Sequence, residues 1–215
     1  MSERLAGRHI LVTAGPTREP IDPVRYLSNH SSGQQGYAIA SACAQLGASV
    51  TLVSGPTALP DPGGMRVIRV ETACEMLAAV EAALPADVFI AVAAVADWRP
   101  AEPSGTKIKA DKSSFASLRL TENPDILKTI SQRDAGRPGL VIGFAAETHD
   151  VEATAIAKRI RKGCDWIVAN DVSGDVMGGA DNAVILITDH GAEHWQRAPK
   201  AQISAQLADR IARAL

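Results

Sequence analysis

The stretch from His9 to Val53 constrains the chain more than any other. An apolar run, His9 to Thr13, has the composition of a buried strand, and Val50 to Val53 repeats it. Between them the spacing predicts a helix from about Gln35 to Leu46, ended by Gly47. This is a β-α-β unit with an odd connection. Strand-to-helix loops usually have roughly 2–6 residues, yet here the chain runs from Ala14 all the way to Gly33. The insert holds three prolines, two arginines and a Ser-Ser-Gly just before the helix. It reads as a binding loop.

The helix entry suggests what such a loop binds. The first backbone N–H groups of a helix have no internal partner, and the helix dipole favours negative charge there. Ser31, Ser32, Gly33 and Gly36 let main chain and hydroxyls approach an anion such as phosphate. Ser-Ser-Gly before a helix is also an ordinary N-cap. Both readings stay open on the residues alone.

The 215 residues fit one domain, with residues 1–7 as a polar tail, and a 46% apolar fraction supplies a large core. A net charge of -2 and 4% aromatic content offer neither a basic face nor a stacking platform for nucleic acid. Cys43, Cys74 and Cys164 lack metal or redox spacing; each is expected as a small core residue of a reduced, cytoplasmic protein. His190 and His194 flank a glycine in a predicted hairpin, which argues against zinc. No signal peptide or membrane span is read.

Further along, Ser54–Gly64 reads as a loop and Arg66–Val70 as a strand. Thr72 caps a helix to about Leu84 with Ala73, Leu77, Val80 and Leu84 on one face. Asp87–Val95 is the most apolar strand, as expected mid-sheet. The polar stretch of about residues 100–117, with Lys107, Lys109, Asp111 and Lys112, reads as a mobile flap, and Leu118–Thr121 as a short strand. Asn123-Pro124-Asp125 opens a helix with Pro124 in its first turn. Gly139–Ala146 and Asp165–Ala169 are strands around a helix from about Asp150 to Lys162. Ala183–Thr188 and Glu193–Arg197 form a hairpin, and a final helix, roughly Ala201 to Ala214, packs through Ile203, Leu207 and Ile211.

Alternating elements of this kind give an α/β fold: a doubly wound, mostly parallel Rossmann-like sheet with helices on both faces. Ligands of such sheets bind beyond the carboxyl ends of the strands. Asp97, Glu147, Asn170-Asp171 and the Ser-Ser-Gly loop all fall there. An NAD(P)-dependent oxidoreductase is the first alternative. It is disfavoured because the first turn lacks G-x-G-x-x-G, Ser54-Gly55 replaces the ribose-binding acid, and neither Tyr26 nor Tyr37 has a lysine four residues on.

The runs TAGPTREPIDPVRYLSNHSSG, AAVADWRP, KIK, ENPDIL, GFAAET, KRIRK and IVANDVS follow one another across almost the whole chain. With them the chain resembles the bacterial phosphopantothenoylcysteine synthetases, usually the C-terminal half of a bifunctional coenzyme A biosynthesis protein. The resemblance implies a ligase. The carboxylate of 4′-phosphopantothenate attacks the α-phosphate of CTP, giving an acyl-cytidylate and pyrophosphate. The amine of cysteine then displaces CMP. Mg²⁺ (or Mn²⁺) accompanies the triphosphate; no flavin is implied for this chain.

The residue roles follow from the same resemblance. Ala91, Val92 and Ala93 meet the cytosine through their main chain. Pro124, Asp125, Ile126, Leu127 and Phe144 line the nucleotide. Lys158 and Lys162, four apart on one helix face, neutralise phosphate; without the resemblance they are a solvated basic face. Lys107 closes over the reacting phosphate from the flap. Asp97 holds the metal or orients the nucleotide. Asn29 holds the phosphopantothenoyl group and donates to the developing oxyanion. Arg25 supports that site or contacts substrate phosphate; otherwise it pairs with Asp22 or Glu19. Ser31, Ser32 and Gly33 form the substrate-phosphate end.

Two departures stand out. Gln34-Gln35 occupies the place of a family Lys-Met, and Ala110 that of a basic residue. The first leaves a non-catalytic nucleotide-binding module as a further alternative. A homodimer is expected, built through the flap strands and the Val184–Trp195 hairpin, whose apolar residues exceed the needs of an edge appendage. The flavin-dependent decarboxylase half is not in this sequence, which reads as an excised domain or a stand-alone synthetase.

Overall fold

The structure is a computed structural model and describes residues 3–108, 118–147, 149–171 and 181–215. In chain order the elements begin with β1 (His9–Ala14), β2 (Arg18–Asp22), β3 (Arg25–Ser28), α1 (Gln34–Gln45), β4 (Ser49–Ser54), β5 (Arg66–Arg69) and α2 (Ala73–Ala82). There follow β6 (Val88–Ala91), β7 (Trp98–Pro100), β8 (Leu120–Glu122), α3 (Ile126–Ser131), β9 (Leu140–Glu147), α4 (Val151–Lys162) and β10 (Trp166–Asp171). The last are β11 (Asp181–Asn182), β12 (Val184–Thr188), β13 (Gly191–His194), β14 (Ala198–Pro199) and α5 (Lys200–Ala214).

Eight strands form the main sheet in the order β13-β12-β10-β9-β6-β1-β4-β5. The pairs from β5 through to β10 are parallel, and β12 and β13 join antiparallel at one edge. The chain leaves β1 for β4 and β5, then returns to the other side of β1 at β6. In sheets of this kind ligands bind where the order reverses, beyond the carboxyl ends of the strands, which here are β1 and β6.

Side chains alternate between two cores, as the pleat requires. Ile10, Val12, Val88, Ile90, Ile142 and Val168 face α1 and α5, while Leu11, Phe89, Val141 and Ile167 face α2, α3 and α4. At about 25 cal/mol per Å² of apolar surface, each fully buried Leu or Ile contributes about 1.5–3 kcal/mol. Among the described residues no helix is long and apolar enough to cross a membrane.

Several expectations are corrected. The long loop contains an antiparallel hairpin, β2–β3. Pro20 and Pro23 had hidden it, since proline argues against strand. The strand expected over Asp87–Val95 ends at Ala91. The strand expected at Leu118 starts at Leu120 and pairs with β7 outside the main sheet. Pro124 lies before the cap of α3, which is Asp125, not inside its first turn. In α2 the buried residues include Met76, while Leu77 is only half-buried. Cys43 and Cys164 are buried as expected, but Cys74 is exposed. The N-terminal tail is not loose throughout: Leu5 is fully buried and its N–H donates to Leu46 O at 2.8 Å.

The late hairpin exists, but its apolar side chains are used within the chain. Val184, Leu186, Ile187 and Trp195 are all buried in the two cores. The apolar surplus that suggested a dimer contact there is therefore absent.

Candidate active site at the carboxyl edge of the sheet

The site begins where β1 hands over to the inserted hairpin. Thr13 O accepts from Val92 N–H at 3.2 Å, and Thr13 Oγ1 accepts from Ala93 N–H at 3.4 Å. Gly15 O accepts from Ala94 N–H at 2.9 Å, and Thr17 Oγ1 from Ala96 N–H at 3.0 Å. The chain after β6 is thus laced to the chain after β1. This changes the expectation for Ala91–Ala93. Two of the amides expected to read a base edge are already engaged with Thr13.

The N-terminus of α1 sits beside this seam. Gly33 caps it with φ 77° and no side-chain cap bond. Ser31 Oγ accepts from Gly33 N–H at 3.3 Å, and Ser32 Oγ from Gln34 N–H at 3.5 Å. The serines therefore do not cap α1 in the ordinary way. Gly33 itself offers the first turn no side-chain acceptor, and the turn's remaining donors suit an anion. The close approach needs glycine: a Cβ on Gly36 would lie 2.5 Å from Ala14 Cβ.

A chain of contacts runs from here across the edge. Asn29 Nδ2 donates to Val95 O at 3.0 Å. An amide nitrogen carries two hydrogens, so this bond orients the side chain and leaves the second outside it. Asn123 Nδ2 donates to Ala96 O, and Asn123 N–H to Asp97 O, both at 2.8 Å. The Asp97 carboxylate is exposed. Two residues beyond Asn123, Asp125 caps α3 by accepting from Lys128 N–H at 3.0 Å. Its other oxygen accepts from Lys162 Nζ. Burial works to raise the Asp125 pKa, but the Lys162 ammonium and the Lys128 amide outweigh it and hold the carboxyl below its usual value.

Lys158 Nζ donates to Phe144 O at 3.0 Å. Lys158 and Lys162 thus share one face of α4, as their spacing implied, and both reach towards the site. Ile126 and Leu127, only 5% and 9% exposed, place their side chains in the core. Their side chains are therefore not free to line a nucleotide. Phe144 is half-buried against the α1 core.

Arg25 and the main chain just after Lys107 meet at a second cluster. Arg25 pairs with Asp22 and also donates to Ile108 O at 3.1 Å. Glu19, 1% exposed, instead accepts from Ala73 N–H at the start of α2. Lys107 is exposed. The first part of the expected flap is anchored: Ser104 N–H donates to Ile21 O at 2.9 Å. Lys109, Ala110, Asp111 and Lys112 lie outside the described residues.

Three contributors were not assigned from sequence. Thr13 and Asn123 are ordinary polar residues until the fold places them at the seam. Asn170 had a position at a strand end but no role. Its Oδ1 is buried without a hydrogen-bond partner among the described residues.

Comparisons with known proteins agree with this geometry. Residues 5–215 match the family described as DNA/pantothenate metabolism flavoprotein C-terminal domain. The chain is 47% identical over 211 residues to the coenzyme A biosynthesis bifunctional protein CoaBC of Vibrio vulnificus (strain YJ016), covering 96% of this chain and 52% of that protein. It is 47% identical over 208 residues to CoaBC of Escherichia coli (strain K12), covering 94% and 51% respectively. The chain spans about half the length of these curated relatives. A crystal structure of the C-terminal domain of a CoaBC protein superposes with a TM-score of 0.83 at 40% identity, covering 99% of this chain and 98% of that one. With the matched length and the superposition in agreement, the chain belongs to the DNA/pantothenate metabolism flavoprotein C-terminal domain family.

Proposed function

We propose that the chain is a phosphopantothenate–cysteine ligase that uses CTP. The carrying observation is the convergence at one sheet edge of an uncapped helix N-terminus, the Asn29 amide and two lysines of α4. Such a set suits a substrate with an anionic end and a triphosphate partner. In the first step a carboxylate oxygen of 4′-phosphopantothenate bonds to the α-phosphorus of CTP and pyrophosphate leaves. In the second the cysteine nitrogen bonds to the acyl carbon, CMP leaves, and the amine proton passes to solvent or base.

The lysines hold negative charge, which is most of what such transfers require. Lys107 approaches the reacting phosphate, and Arg25 supports the substrate end. Asn29 donates to the acyl oxygen as it gains charge. Asp97 fits a divalent cation that arrives with the nucleotide. Among the described residues no three metal-ligating side chains converge, and Mg²⁺ or Mn²⁺ on such a site is held by one or two carboxylates plus substrate phosphates. When bound, the cation supplies charge neutralisation.

A homodimer is part of this reading, with its contact kept on the flap strands β7–β8 and joined there by the β2–β3 hairpin in place of the late hairpin. Val24, Tyr26, Trp98 and Leu120 are 60%, 50%, 48% and 45% exposed on the β2–β3 and β7–β8 hairpins. Apolar groups gathered in this way mark an interaction surface. A monomer mass at every concentration in sedimentation would remove this part. The reading also includes a cytoplasmic setting and a flavin-dependent decarboxylase joined to this unit in the natural protein.

The reading is tested by incubating the chain with 4′-phosphopantothenate, Mg²⁺, CTP and cysteine. Mass spectrometry should find 4′-phosphopantothenoylcysteine in CTP-dependent amounts. No amide product from folded protein that binds CTP would refute it.

A further inference from the structure

Asp22 belongs to no part of the proposed reaction, yet it is the most heavily bonded carboxylate at the site. Only 4% of it is exposed, at the turn between β2 and β3. Its two oxygens do different work. Oδ1 accepts from Val24 N–H at 2.9 Å and Arg25 N–H at 3.0 Å, which is the local bonding of an Asx turn. Oδ2 accepts from Arg25 Nε at 3.0 Å, from Arg25 Nη2, and from Ile108 N–H at 3.2 Å. Arg25 Nη2 also donates to Ile108 O at 3.1 Å. Both main-chain polar groups of Ile108, its N–H and its C=O, are therefore held by one acid–arginine pair.

A turn needs only the first oxygen, and asparagine would supply it. The second is committed wholly to Arg25 and to the residue next to Lys107. We propose, resting on the ligase reading above, that Asp22 is a positioning residue: it clamps the backbone at Ile108 so that Lys107 is delivered to the reacting phosphate, and it fixes the Arg25 guanidinium in the same act. A buried carboxylate is tolerated here because five donors replace its water.

Asp22→Asn separates the two tasks. The turn survives through Oδ1, while an NH₂ group faces the guanidinium and the Ile108 N–H, so donor meets donor. The peptide bond after Lys107 is a trypsin site, and the clamp holds its N–H. Wild type should resist cleavage there and Asp22→Asn should be cut readily. Pyrophosphate release with 4′-phosphopantothenate and CTP should fall about 10- to 100-fold in kcat, the scale of a small misplacement of a reacting group, with KM for CTP nearly unchanged.

Ile108→Pro deletes the Ile108 donor while leaving Asp22 and its turn intact, and should show the same kcat loss. It serves if Asp22→Asn folds poorly. Unchanged protection of Lys107 in Asp22→Asn would overturn the clamp. So would faster cleavage with unaltered kcat, which would make the role structural only. Wild type that protects Lys107 but releases no pyrophosphate would overturn the ligase reading and the positioning role together.

Discussion

Gly33→Ala is the substitution that best tests the packing under the anion site. Gly33 has φ 77°, a conformation costing an L-residue about 1–2 kcal/mol. Its added methyl would lie 2.7 Å from Thr57 Cγ2, nearer than real Cβ contacts come. Relieving that overlap costs about 1–3 kcal/mol, as overpacking does elsewhere. The two costs act on different atoms, so the expected loss is their sum, about 2–5 kcal/mol. Thr57→Ser removes only the methyl and keeps the hydroxyl, which donates to Tyr37 OH at 3.3 Å and accepts from Leu59 N–H at 3.4 Å. The double variant should recover the overlap cost and retain the backbone cost. Urea unfolding reports this through Trp166 and Trp195, both buried. Gly33→Ala within about 0.5 kcal/mol of wild type, the range of an unremarkable surface change, would refute the reasoning. A double variant no better than Gly33→Ala would refute the overlap argument.

Three further outcomes are expected. Lys158→Met should weaken CTP binding in calorimetry by about tenfold or more, because a charge-assisted phosphate contact is worth about 1.5–3 kcal/mol. Losing its bond to Phe144 O should also lower stability, a cost that unfolding measures separately. Acid should destabilise the fold through Asp22: chiefly Arg25, with the amides of Val24, Ile108 and Arg25, holds its carboxyl well below the usual range. That stabilisation is complete above the unfolded value of about 3.9 and is lost as pH falls below it through the folded pKa. Unfolding curves from pH 6 downward should therefore show less acid sensitivity in Asp22→Asn. Finally, a thiol reagent at neutral pH should label Cys74 alone in the native state, since burial pushes Cys43 up to about 12 and Cys164 up to about 11. Fast labelling of Cys43 would contradict its place in the core.

The main sheet was legible because each of its parallel strands is an apolar run framed by helix periodicity. Spacing put Lys158 and Lys162 on one face, but only the resemblance set them apart from a solvated basic face. The inserted hairpin was not legible, since β3 alternates between half-buried and exposed positions with no apolar face. Asp22 was invisible as a clamp because its partner Ile108 lies 86 residues away. The late hairpin misled for a related reason. Its apolar content was visible, but whether that content faces its own core or a second chain depends on the sheet it joins. Ser31 and Ser32 looked like caps, yet the left-handed Gly33 takes the cap position and turns them aside.

The central claim is the acyl-cytidylate step, and pyrophosphate release without cysteine tests it most directly. With 4′-phosphopantothenate and Mg²⁺, the account predicts release with CTP limited to about one equivalent per site, weak release with ATP, and sustained turnover once cysteine is added. Release that is independent of 4′-phosphopantothenate, or equal for the two nucleotides, would contradict it.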